Sequence, residues 1–304
     1  MLFYLIGMPG CGKSKTAKVI QTEYKIKVVD LDDFIEKKAK LDIPTIMSKY
    51  GLEHFRKLET EALTELSKKR DTFIVSCGGG VVTEVRNKEI MRKGITIFLD
   101  ASINVLKQHL SSSSTERPLL KVKSVEELYN ERIDLYRDFA EYTIDYSNCQ
   151  KVAKEVVDIM LSYKKILVIN GPNLNMLGMR DPKHYGSLTL NDINELMAKE
   201  KKFIFYFYQS NHEGKIVDCI QKYAEYDGLI INPAAYTHTS VAIHDALEIV
   251  TIPKVEVHLS DVDNREDYRK VNFVRDVVDA HFSGEKELSY LKAVDYLKNK
   301  LNVI

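Results

Sequence analysis

The sequence has no apolar run longer than a strand, so it predicts no transmembrane helix. It also has no excess of either charge, since 44 lysine and arginine residues balance 44 aspartate and glutamate residues. A chain without an overall field has no general attraction for nucleic acid or for an anionic membrane, and we expect neither as a partner. Its 304 residues, 44% of them hydrophobic, are enough to form two hydrophobic cores.

Cysteine is scarce and scattered. The four cysteines are Cys11, Cys77, Cys149 and Cys219, and they form no CxxC pair and no histidine–cysteine pair at zinc-binding spacing. This pattern is typical of reduced thiols in a cytosolic protein, so we expect cytoplasmic localisation. The apolar amino terminus has no basic leader and runs directly into a glycine loop, so we interpret it as a first strand and not as a signal peptide.

Two stretches about 160 residues apart have the same organisation. The first is LFYLIG, which leads into Met8–Lys13, and the second is KKILVING, which starts at Lys164 and leads into a loop rich in asparagine and glycine. We interpret each as a buried strand that ends in a functional loop. The repetition predicts two α/β domains in tandem, residues 1–162 and 163–304.

The first loop matches the phosphate-loop pattern GxxxxGK[ST] from Gly7 to Ser14. Glycines allow backbone N–H groups to surround phosphates, a lysine at position 13 reaches the transferred phosphate, and Ser14 can bind magnesium. A chance glycine turn is the less favoured interpretation. We predict a phosphate site formed by Gly10, Cys11, Gly12, Lys13, Ser14 and Lys15.

Acidic, glycine and arginine residues follow at positions that suit phosphoryl transfer. Asp30 and Asp32, two apart on a segment interpreted as extended, are expected to face the phosphate loop. One of them could hold magnesium through water while the other accepts a proton from an attacking hydroxyl, although a solvated acidic loop is an equal alternative. Three glycines, Gly78–Gly80, end a buried strand and let a ligand approach the backbone. The segment SSSSTERPLL is interpreted as a polar lid that carries Arg117, and ERIDLYRDFAEY adds Arg132.

Together these motifs resemble the shikimate kinases over residues 1–160. The family's phosphate loop, its D-x-D, its F-R-x-x-E, its triple glycine and its R-P-L-L lid are all represented. The resemblance implies a P-loop kinase fold, a parallel sheet with helices on both faces, that binds ATP and Mg2+ and phosphorylates shikimate. It further implies that Lys13 and Ser14 serve ATP and Mg2+ and that Arg117 closes over the phosphates. It also implies that Asp32 is the base, that Arg56 and Arg132 hold the substrate carboxylate and that Gly79 supports the substrate. From the D-x-D spacing we expect Asp30 near the metal.

The first half departs from that family at two places. Asp134 replaces the proline of R-x-P-L-Y and could compete for Arg132, and Tyr146–Gln150 contains no arginine to pack on adenine, so the base contacts stay unassigned. Two alternatives stay open. Another small-metabolite kinase, such as a gluconate-type kinase, is disfavoured by the pair Arg56 and Arg132, and a nucleotide-binding regulatory domain without catalysis is supported by Asp134 alone.

In the second half, apolar strands at 166–169, 203–208, 229–231 and 255–257 alternate with helical stretches. This alternation predicts a parallel sheet with helices on both faces, and polar clusters fall at the carboxyl ends of its strands, where ligands bind. His238 and His258 each follow a strand among polar residues, which favours a site over two structural histidines. A zinc site is the rival interpretation, but the sequence offers no acidic or cysteine partner at metal spacing.

The loops NGPNLNMLGMRDPKHYG, QSNHEG, INPAAYTHTSVAIHDAL and VEVHLSDVDNREDYR closely resemble those of the type II 3-dehydroquinate dehydratases, over residues 164–304. Those are flavodoxin-like, doubly wound proteins without a cofactor, commonly dodecamers built from trimers, so we expect a homo-oligomer. The resemblance implies that Tyr185 is the general base, His258 the general acid and Arg180 the stabiliser of the transition state. The other implied site residues are Asn173, which positions a water; Glu256 and Arg265, which support the site; and the substrate-binding set Asn232, His238, Asp245, Leu259, Ser260 and Arg269.

A tyrosine base needs help, because free tyrosine has a pKa of about 10 and the base must act at about pH 7 to 8. Neighbouring arginine charge can supply that help, and Arg180 is the expected source. Two departures concern loop geometry: Asp181 stands where the family often has glutamate, and Ala235 where it often has glycine.

The whole sequence therefore predicts a bifunctional enzyme that phosphorylates shikimate and dehydrates 3-dehydroquinate. These steps are not consecutive, since dehydroshikimate must be reduced before the kinase can use it. No GxGxxG fingerprint of a reductase is present. We expect the fusion to co-localise the two activities and not to transfer product directly between them.

Overall fold

The computed structural model describes residues 1–69, 71–111 and 123–303 of the chain. These residues form two compact units, Met1–Met160 and Leu161–Ile304. Among the helices described, none combines the length and the apolar composition that crossing a bilayer requires.

The first unit alternates strands and helices. Its strands are β1 (Leu2–Ile6), β2 (Val28–Asp30), β3 (Phe73–Ser76), β4 (Ile95–Asp100) and β5 (Tyr142–Asp145). Its helices are α1 (Lys13–Glu23), α2 (Leu31–Ala39), α3 (Ile43–Tyr50), α4 (Leu52–Ser67), α5 (Val85–Met91), α6 (Ile103–Ser111), α7 (Val125–Phe139) and α8 (Cys149–Ser162). The strands run parallel in the order β2-β3-β1-β4-β5.

The central strand β1 sets the position of the first site. All five of its side chains are buried, as expected of a strand covered on both faces of a parallel sheet. Its neighbours are in register, with Leu2 opposite Phe73 of β3 and Phe3 opposite Ile95 of β4. The carboxyl ends of β1, β2 and β3 therefore meet at one edge of the sheet, and the glycine and aspartate loops follow from there.

The second unit has the same kind of alternation. Its strands are β6 (Lys164–Asn170), β7 (Phe203–Gln209), β8 (Gly228–Asn232), β9 (Lys254–Val257) and β10 (Ala280–Phe282). Its helices are α9 (Pro182–Tyr185), α10 (Leu190–Met197), α11 (Glu213–Ile220), α12 (Val241–Glu248) and α13 (Glu287–Lys300). All strands are parallel in the order β7-β6-β8-β9-β10, which is the doubly wound order of flavodoxin-like sheets.

Alternate residues of β6 point to two different cores. Ile166 and Val168 pack with α10 and α13, whereas Leu167 and Ile169 pack with α11 and α12. Helices therefore cover both faces of this sheet. The predicted fold class, two α/β units with parallel sheets, is confirmed.

Three elements differ from the sequence analysis. It does not predict β5 or β10, each of which is an edge strand of no more than four residues. It also treats Asp30 and Asp32 as members of one extended segment, and this is wrong. The strand ends at Asp30 and α2 begins at Leu31, because the Asp30 side chain caps that helix.

Candidate active sites

The phosphate loop of the first unit connects β1 to α1. Gly12 has a φ of 93°, in the left-handed region, and a Cβ there would lie 2.4 Å from a ring carbon of Tyr146. The side chain of Lys13 is buried, and its Nζ donates to the carbonyl oxygens of Gly7 at 2.7 Å and Met8 at 3.1 Å. The lysine ammonium is therefore already curled into the loop.

The other residues of the predicted phosphate site lie in this same loop and the first turn of α1. Gly10 has a φ of 89°, and the backbone N–H of Cys11 donates to the carbonyl oxygen of Met8 at 3.1 Å. Ser14 and Lys15 follow with exposed side chains at the amino end of α1. A helix amino terminus next to a tight loop favours a bound anion.

Asp30 and Asp32 have different surroundings. One carboxylate oxygen of Asp30 accepts hydrogen bonds from the backbone N–H groups of Asp32 at 3.0 Å and Asp33 at 3.4 Å. Burial, and next the charge of Asp30, raises the pKa of Asp32 to about 6, while the charges of Lys13 and Arg56 oppose the rise. The Asp32 carboxylate is therefore ionised at neutral pH and still basic enough to accept a proton.

Arg56 forms a buried ion pair. Its Nη1 lies 2.6 Å from Oε2 of Glu59, three residues later on α4, and neither side chain is more than 9% exposed. Burial raises the pKa of Glu59, whereas the charge of Arg56 and its hydrogen bond lower it. Oε1 of Glu59 and Oδ1 of Asp32 have no hydrogen-bond partner within the described structure. Both lie against Gly78, where a Cβ would be 3.1 Å and 2.8 Å from them, so two free acceptors face one point.

Arg132 reaches the same strand end from α7. Its Nη1 donates to the carbonyl oxygen of Gly79 at 3.0 Å, and the hydroxyl of Tyr136 donates to the same oxygen. The Asp134 side chain, by contrast, is 91% exposed, and its carboxylate lies 3.7 Å from Arg137. Asp134 is therefore turned away from Arg132 and does not compete for it. The predicted lid residue Arg117 lies outside the described residues.

In the second unit, two arginines surround Tyr185 at the end of α9. Nη1 of Arg265 donates to the phenolic oxygen at 3.0 Å, and the guanidinium carbon of Arg180 lies 3.6 Å from the centre of the ring. Both arginines therefore place positive charge next to Tyr185. The sequence analysis expected this help from Arg180, but the direct hydrogen bond comes from Arg265.

A buried carboxylate organises the other end of this site. Oε1 of Glu256 accepts hydrogen bonds from Thr237 and from Nε2 of His258, the latter at 2.8 Å. Its Oε2 accepts from Asn272 at 2.9 Å and from Nδ1 of His281 at 2.7 Å. Burial alone would raise the pKa of Glu256, but these hydrogen bonds, led by those of the two histidines, hold it well below its ordinary value. Glu256 is therefore an anion that orients two imidazole rings.

The cluster of Glu256, His258 and His281 contains the side-chain types of a metal site. Their ligand atoms lie within 4.8 Å of one another, because β9 and β10 are neighbours. The sequence analysis found no acidic partner at metal spacing and missed this group. His258 and His281 each hydrogen-bond to Glu256, and their rings contact each other with centres 5.7 Å apart, so we describe the group as a hydrogen-bond network.

His238 lies over His258, with ring centres 6.5 Å apart and the planes nearly parallel. Burial lowers the pKa of His238, and its Nδ1 lies 2.6 Å from the carbonyl oxygen of Val271. The ring is then neutral at neutral pH, with Nδ1–H donating and Nε2 left as an acceptor. Arg269 is held by Glu266 at 3.0 Å.

Asn232 ends β8 and is buried. Its Nδ2 donates to the hydroxyl of Tyr290 at 2.9 Å, and that hydroxyl donates to Asn170 at 2.6 Å. Its Oδ1 accepts from the backbone N–H of Ala234 at 3.1 Å. Ala234 has a φ of 52°, in the left-handed region that favours glycine, whereas the sequence analysis singled out Ala235, whose φ is not positive.

The remaining predicted residues divide into two groups. Leu259 and Ser260 come directly after His258, past the end of β9, and both are buried. Asn173 is exposed, with its N–H bonded to the side chain of Asn211 at 2.9 Å. The Asp245 side chain is 67% exposed on α12 and contacts His244, and no described contact joins it to the cluster around Tyr185 and His258.

Comparison with known proteins gives a match for each unit. The family model for shikimate kinase matches residues 9–161, and the family model for class II dehydroquinase matches residues 164–298. The chain belongs to the shikimate kinases in its first half and to the class II dehydroquinases in its second. It therefore carries two enzymes of the shikimate pathway, the first of which uses a nucleotide, and both act on small molecules.

Several proteins are similar to one unit or the other. The dehydroquinase unit is 46% identical over 140 residues to a 3-dehydroquinate dehydratase of Thermotoga maritima, covering 45% of this chain and 96% of the relative. It is 52% identical over 134 residues to that of Acaryochloris marina, covering 43% and 90%. A solved shikimate kinase from Acinetobacter baumannii in complex with shikimate is 30% identical to the kinase unit, covers 53% of this chain and 93% of that chain, and has a TM-score of 0.49.

Some residues of both sites were not found from the sequence. Glu59 stands in the F-R-x-x-E motif of the kinase unit, but nothing in the motif indicates that it neutralises Arg56. His281 of the dehydroquinase unit lies on β10, a strand too short to be recognised, so no signal pointed to it. Tyr290 belongs to an ordinary amphipathic helix, where a tyrosine is usually a core residue.

Proposed function

We propose that the kinase unit transfers the terminal phosphoryl group of ATP to a hydroxyl of shikimate, and that the dehydroquinase unit converts 3-dehydroquinate to 3-dehydroshikimate. The observation that supports the first assignment is that Asp32, Arg56 and Arg132 converge on the strand ends that carry the phosphate loop. Phosphoryl transfer depends on positioning and charge neutralisation, and those groups suit both tasks.

The residues of the kinase unit fit a nucleotide with magnesium. Lys13 Nζ rests on two carbonyl oxygens, which phosphate oxygens can replace as partners. The Ser14 hydroxyl and the Asp30 carboxylate are hard oxygen donors of the kind that Mg2+ prefers, and Ser14 is exposed next to the loop. Bound Mg2+ would neutralise charge on the phosphates.

We assign the proton transfer to Asp32. Its Oδ1 has no hydrogen-bond partner in the described chain, and its pKa of about 6 keeps it ionised at neutral pH. It can therefore accept the proton of the attacking hydroxyl as the new O–P bond forms and the bond from the terminal phosphorus to the oxygen of the departing ADP breaks. Arg132 and Arg56 hold the substrate carboxylate, and their burial strengthens that ionic contact.

ADP release with ATP, magnesium and shikimate tests this assignment, with gluconate and no-substrate controls. Arg132→Ala should raise KM for shikimate by roughly 10-fold or more, because a charged hydrogen bond is worth about 1.5–3 kcal/mol. Asp134→Ala is the matched control on the same helix and should behave like the wild type. Equal ADP release with every substrate, or an unaffected Arg132→Ala variant, would contradict the proposal.

For the dehydroquinase unit, we propose that Tyr185 is the base and His258 the acid. The phenolate oxygen of Tyr185 takes a proton from the carbon next to the ketone, which leaves an enolate. The enolate electrons then form the carbon–carbon double bond as the C–O bond breaks, and the hydroxyl leaves as water with a proton from His258. The contact between Arg265 and the phenolic oxygen supports this choice of base, and Arg180 stabilises the developing negative charge.

Substrate binding falls to the polar groups around these two residues. We assign it to Asn232, His238, Asp245, Leu259, Ser260 and Arg269, with Asn173 positioning a water. The neutral His238 offers Nε2 as an acceptor for a substrate hydroxyl, and Arg269 offers a guanidinium for the carboxylate. The network through Tyr290 leaves one N–H of Asn232 for the substrate.

The absorbance of the enone product tests the second assignment. Tyr185→Phe should lower kcat by about 100-fold or more, since general base catalysis contributes about 100-fold to 10,000-fold. Tyr223→Phe, in the core on the opposite side of the sheet, is the control and should retain activity. Retained activity in Tyr185→Phe would remove Tyr185 as the base.

We also propose a homo-oligomer, a dodecamer that is built from trimers and joined through the dehydroquinase unit. Asp245 is exposed and apart from the other substrate-binding residues, so a neighbouring subunit is its natural destination. Val241 and Ile249, on and just after α12, are each 54% exposed and apolar. Light scattering should give a mass near that of twelve chains, and a monomer at working concentration would contradict the proposal.

A second test asks whether subunits share their active sites. If they do, co-expression of Asp245→Ala with Tyr185→Phe should restore some dehydratase activity.

A further inference from the structure

We propose that His281 is a positioning residue of the dehydroquinase unit, which sets the pH range over which His258 carries the proton that it delivers. The inference rests on the proposed role of His258 as the acid. It concerns a residue that takes no part in the reaction as assigned above. The observations that carry it are the register of β9 with β10 and the hydrogen bonds around Glu256.

The register of β9 with β10 brings His281 next to Glu256. His281 of β10 is the direct partner of Glu256 of β9 in the parallel ladder, so their side chains lie on the same face of the sheet. His258, two residues after Glu256, points to that face as well. One carboxylate is consequently shared by two imidazole rings, through Oε1 to His258 and through Oε2 to His281.

Arg275 decides which nitrogen of His281 carries the proton. Its Nη2 lies 3.1 Å from Nε2 of His281. A guanidinium group only donates, so Nε2 is the acceptor and Nδ1 carries the hydrogen that is donated to Glu256. Asp263 holds Arg275 in place through two contacts of 3.1 Å. The result is a directed chain in which His281 is a neutral donor.

Sharing the carboxylate has a consequence for the acid. Glu256 favours the protonated form of His258, and every additional donor on Glu256 weakens that effect. The titratable groups that face His258 are Glu256 on β9, His281 on β10 and His238 above its ring. Of these, His281 is the one that acts through the carboxylate. Removing its donor should let His258 keep its proton to a higher pH.

The test is the pH profile of kcat for dehydration, measured on the full chain. His281→Leu removes the donor and should move the alkaline limb to higher pH by about half to one unit. His281→Asn keeps an N–H near the position of Nδ1 and should leave the limb where the wild type has it. The same limb in His281→Leu and the wild type would overturn the proposal, as would an equal shift in both variants.

A second variant tests the proposal independently, in case His281→Leu does not fold. The side chain of Arg275 is 41% exposed. Arg275→Met therefore removes the group that fixes the tautomer of His281, with little disturbance of the core. It should produce a smaller shift in the same direction, and no additional shift in the His281→Leu background. Additive shifts would show that the two residues act separately and would overturn the proposed chain.

His258→Asn separates this inference from the proposed function. If His258→Asn retains full activity, His258 is not the acid and the proposed mechanism fails. If His258→Asn is inactive but His281→Leu has an unchanged limb, the mechanism stands and only the role of His281 is lost.

Discussion

At the scale of single residues, Ala234 shows how a site can keep a strained position. Its φ of 52° is energetically unfavourable for alanine. Its backbone N–H donates a hydrogen bond to the side-chain oxygen of Asn232. The turn that contains it also brings Gly171 close to the backbone of Pro233, where a Cβ on Gly171 would lie 2.3 Å from the carbonyl oxygen. The loop therefore cannot relax without moving Asn232.

Ala234→Gly should stabilise the dehydroquinase unit by about 0.5–1 kcal/mol, because the relief of left-handed strain outweighs the greater chain entropy that glycine loses on folding. Ala235→Gly is the control one residue later, where φ is not positive, and should be neutral or slightly destabilising. Urea unfolding followed by dehydratase activity measures both. A destabilised Ala234→Gly variant would contradict the strain argument.

Asp32 shows the same conflict between stability and function in the kinase unit. Its pKa in the folded chain is about 6, above the ordinary 3.8, so the ionised form destabilises the fold. That penalty is fully present above pH 6 and disappears as the pH falls towards 3.8. Asp32→Asn should therefore raise the stability of the kinase unit by about 1–3 kcal/mol at pH 8 and abolish its activity.

Calorimetry at pH 8 and pH 4 measures this difference. Asp33→Asn is the matched control, because it removes an exposed carboxylate from the same first turn of α2. Its effect on the melting temperature should be small or destabilising at both pH values. An Asp32→Asn variant that is less stable than the wild type at pH 8 would show that the carboxylate is better solvated than its burial indicates.

At the scale of helices and strands, what could be predicted depended on length and on local chemistry. The long apolar strands and the loop motifs that hold Lys13, Tyr185 and His258 are local signals, and the sequence contains them in full. Edge strands such as β10, with three residues, have too few positions for a period-two pattern. The partnership of Glu256 with His281 depends on that strand, so it could not be predicted.

The extended interpretation of Asp30 to Asp32 failed for a different reason. The side chain of Asp30 hydrogen-bonds to the backbone two and three residues later, which starts a helix immediately after the strand. The apolar pair Val28 and Val29 predicts a strand but does not indicate where that strand ends. An aspartate followed by a helical pattern was the available signal, and it was given less weight than the D-x-D spacing.

Each unit has a helix that begins with a complete capping box, and these allow a crossed test. Ser124 caps α7, which carries Arg132, and Thr189 caps α10 in the dehydroquinase unit. Replacing either by alanine should cost about 0.5–2 kcal/mol and lower the temperature of half-inactivation of its own unit by about 2–5 °C.

Both activities are measured in the same heated sample. Ser124→Ala should affect the kinase alone and Thr189→Ala the dehydratase alone, so each variant is the control for the other. Loss of both activities at one lower temperature, in either variant, would contradict independent unfolding of the two units.

At the scale of the whole molecule, each unit builds its site from its own strand ends. The groups assigned to phosphoryl transfer lie within the first compact unit, and those assigned to dehydration within the second. The product of the dehydratase is an enone, whereas the kinase needs the corresponding alcohol, so a reduction must occur between them. Transfer of product from one unit to the other would thus gain nothing without a third enzyme.

We therefore expect the fusion to add co-localisation and no channel. When a reductase with its nicotinamide cofactor is added to the chain, the lag before ADP appears should shorten in proportion to the reductase concentration. An equal mixture of Tyr185→Phe, which retains the kinase, and Lys13→Met, which retains the dehydratase, is the matched control. It contains both activities on separate chains at half the concentration of each, so it is compared with half as much wild type. Because an intermediate that diffuses freely reaches every kinase site equally, whichever chain made it, the two lags should agree. A shorter lag in the wild type, insensitive to dilution of the reductase, would mean that the fused chain retains the intermediate.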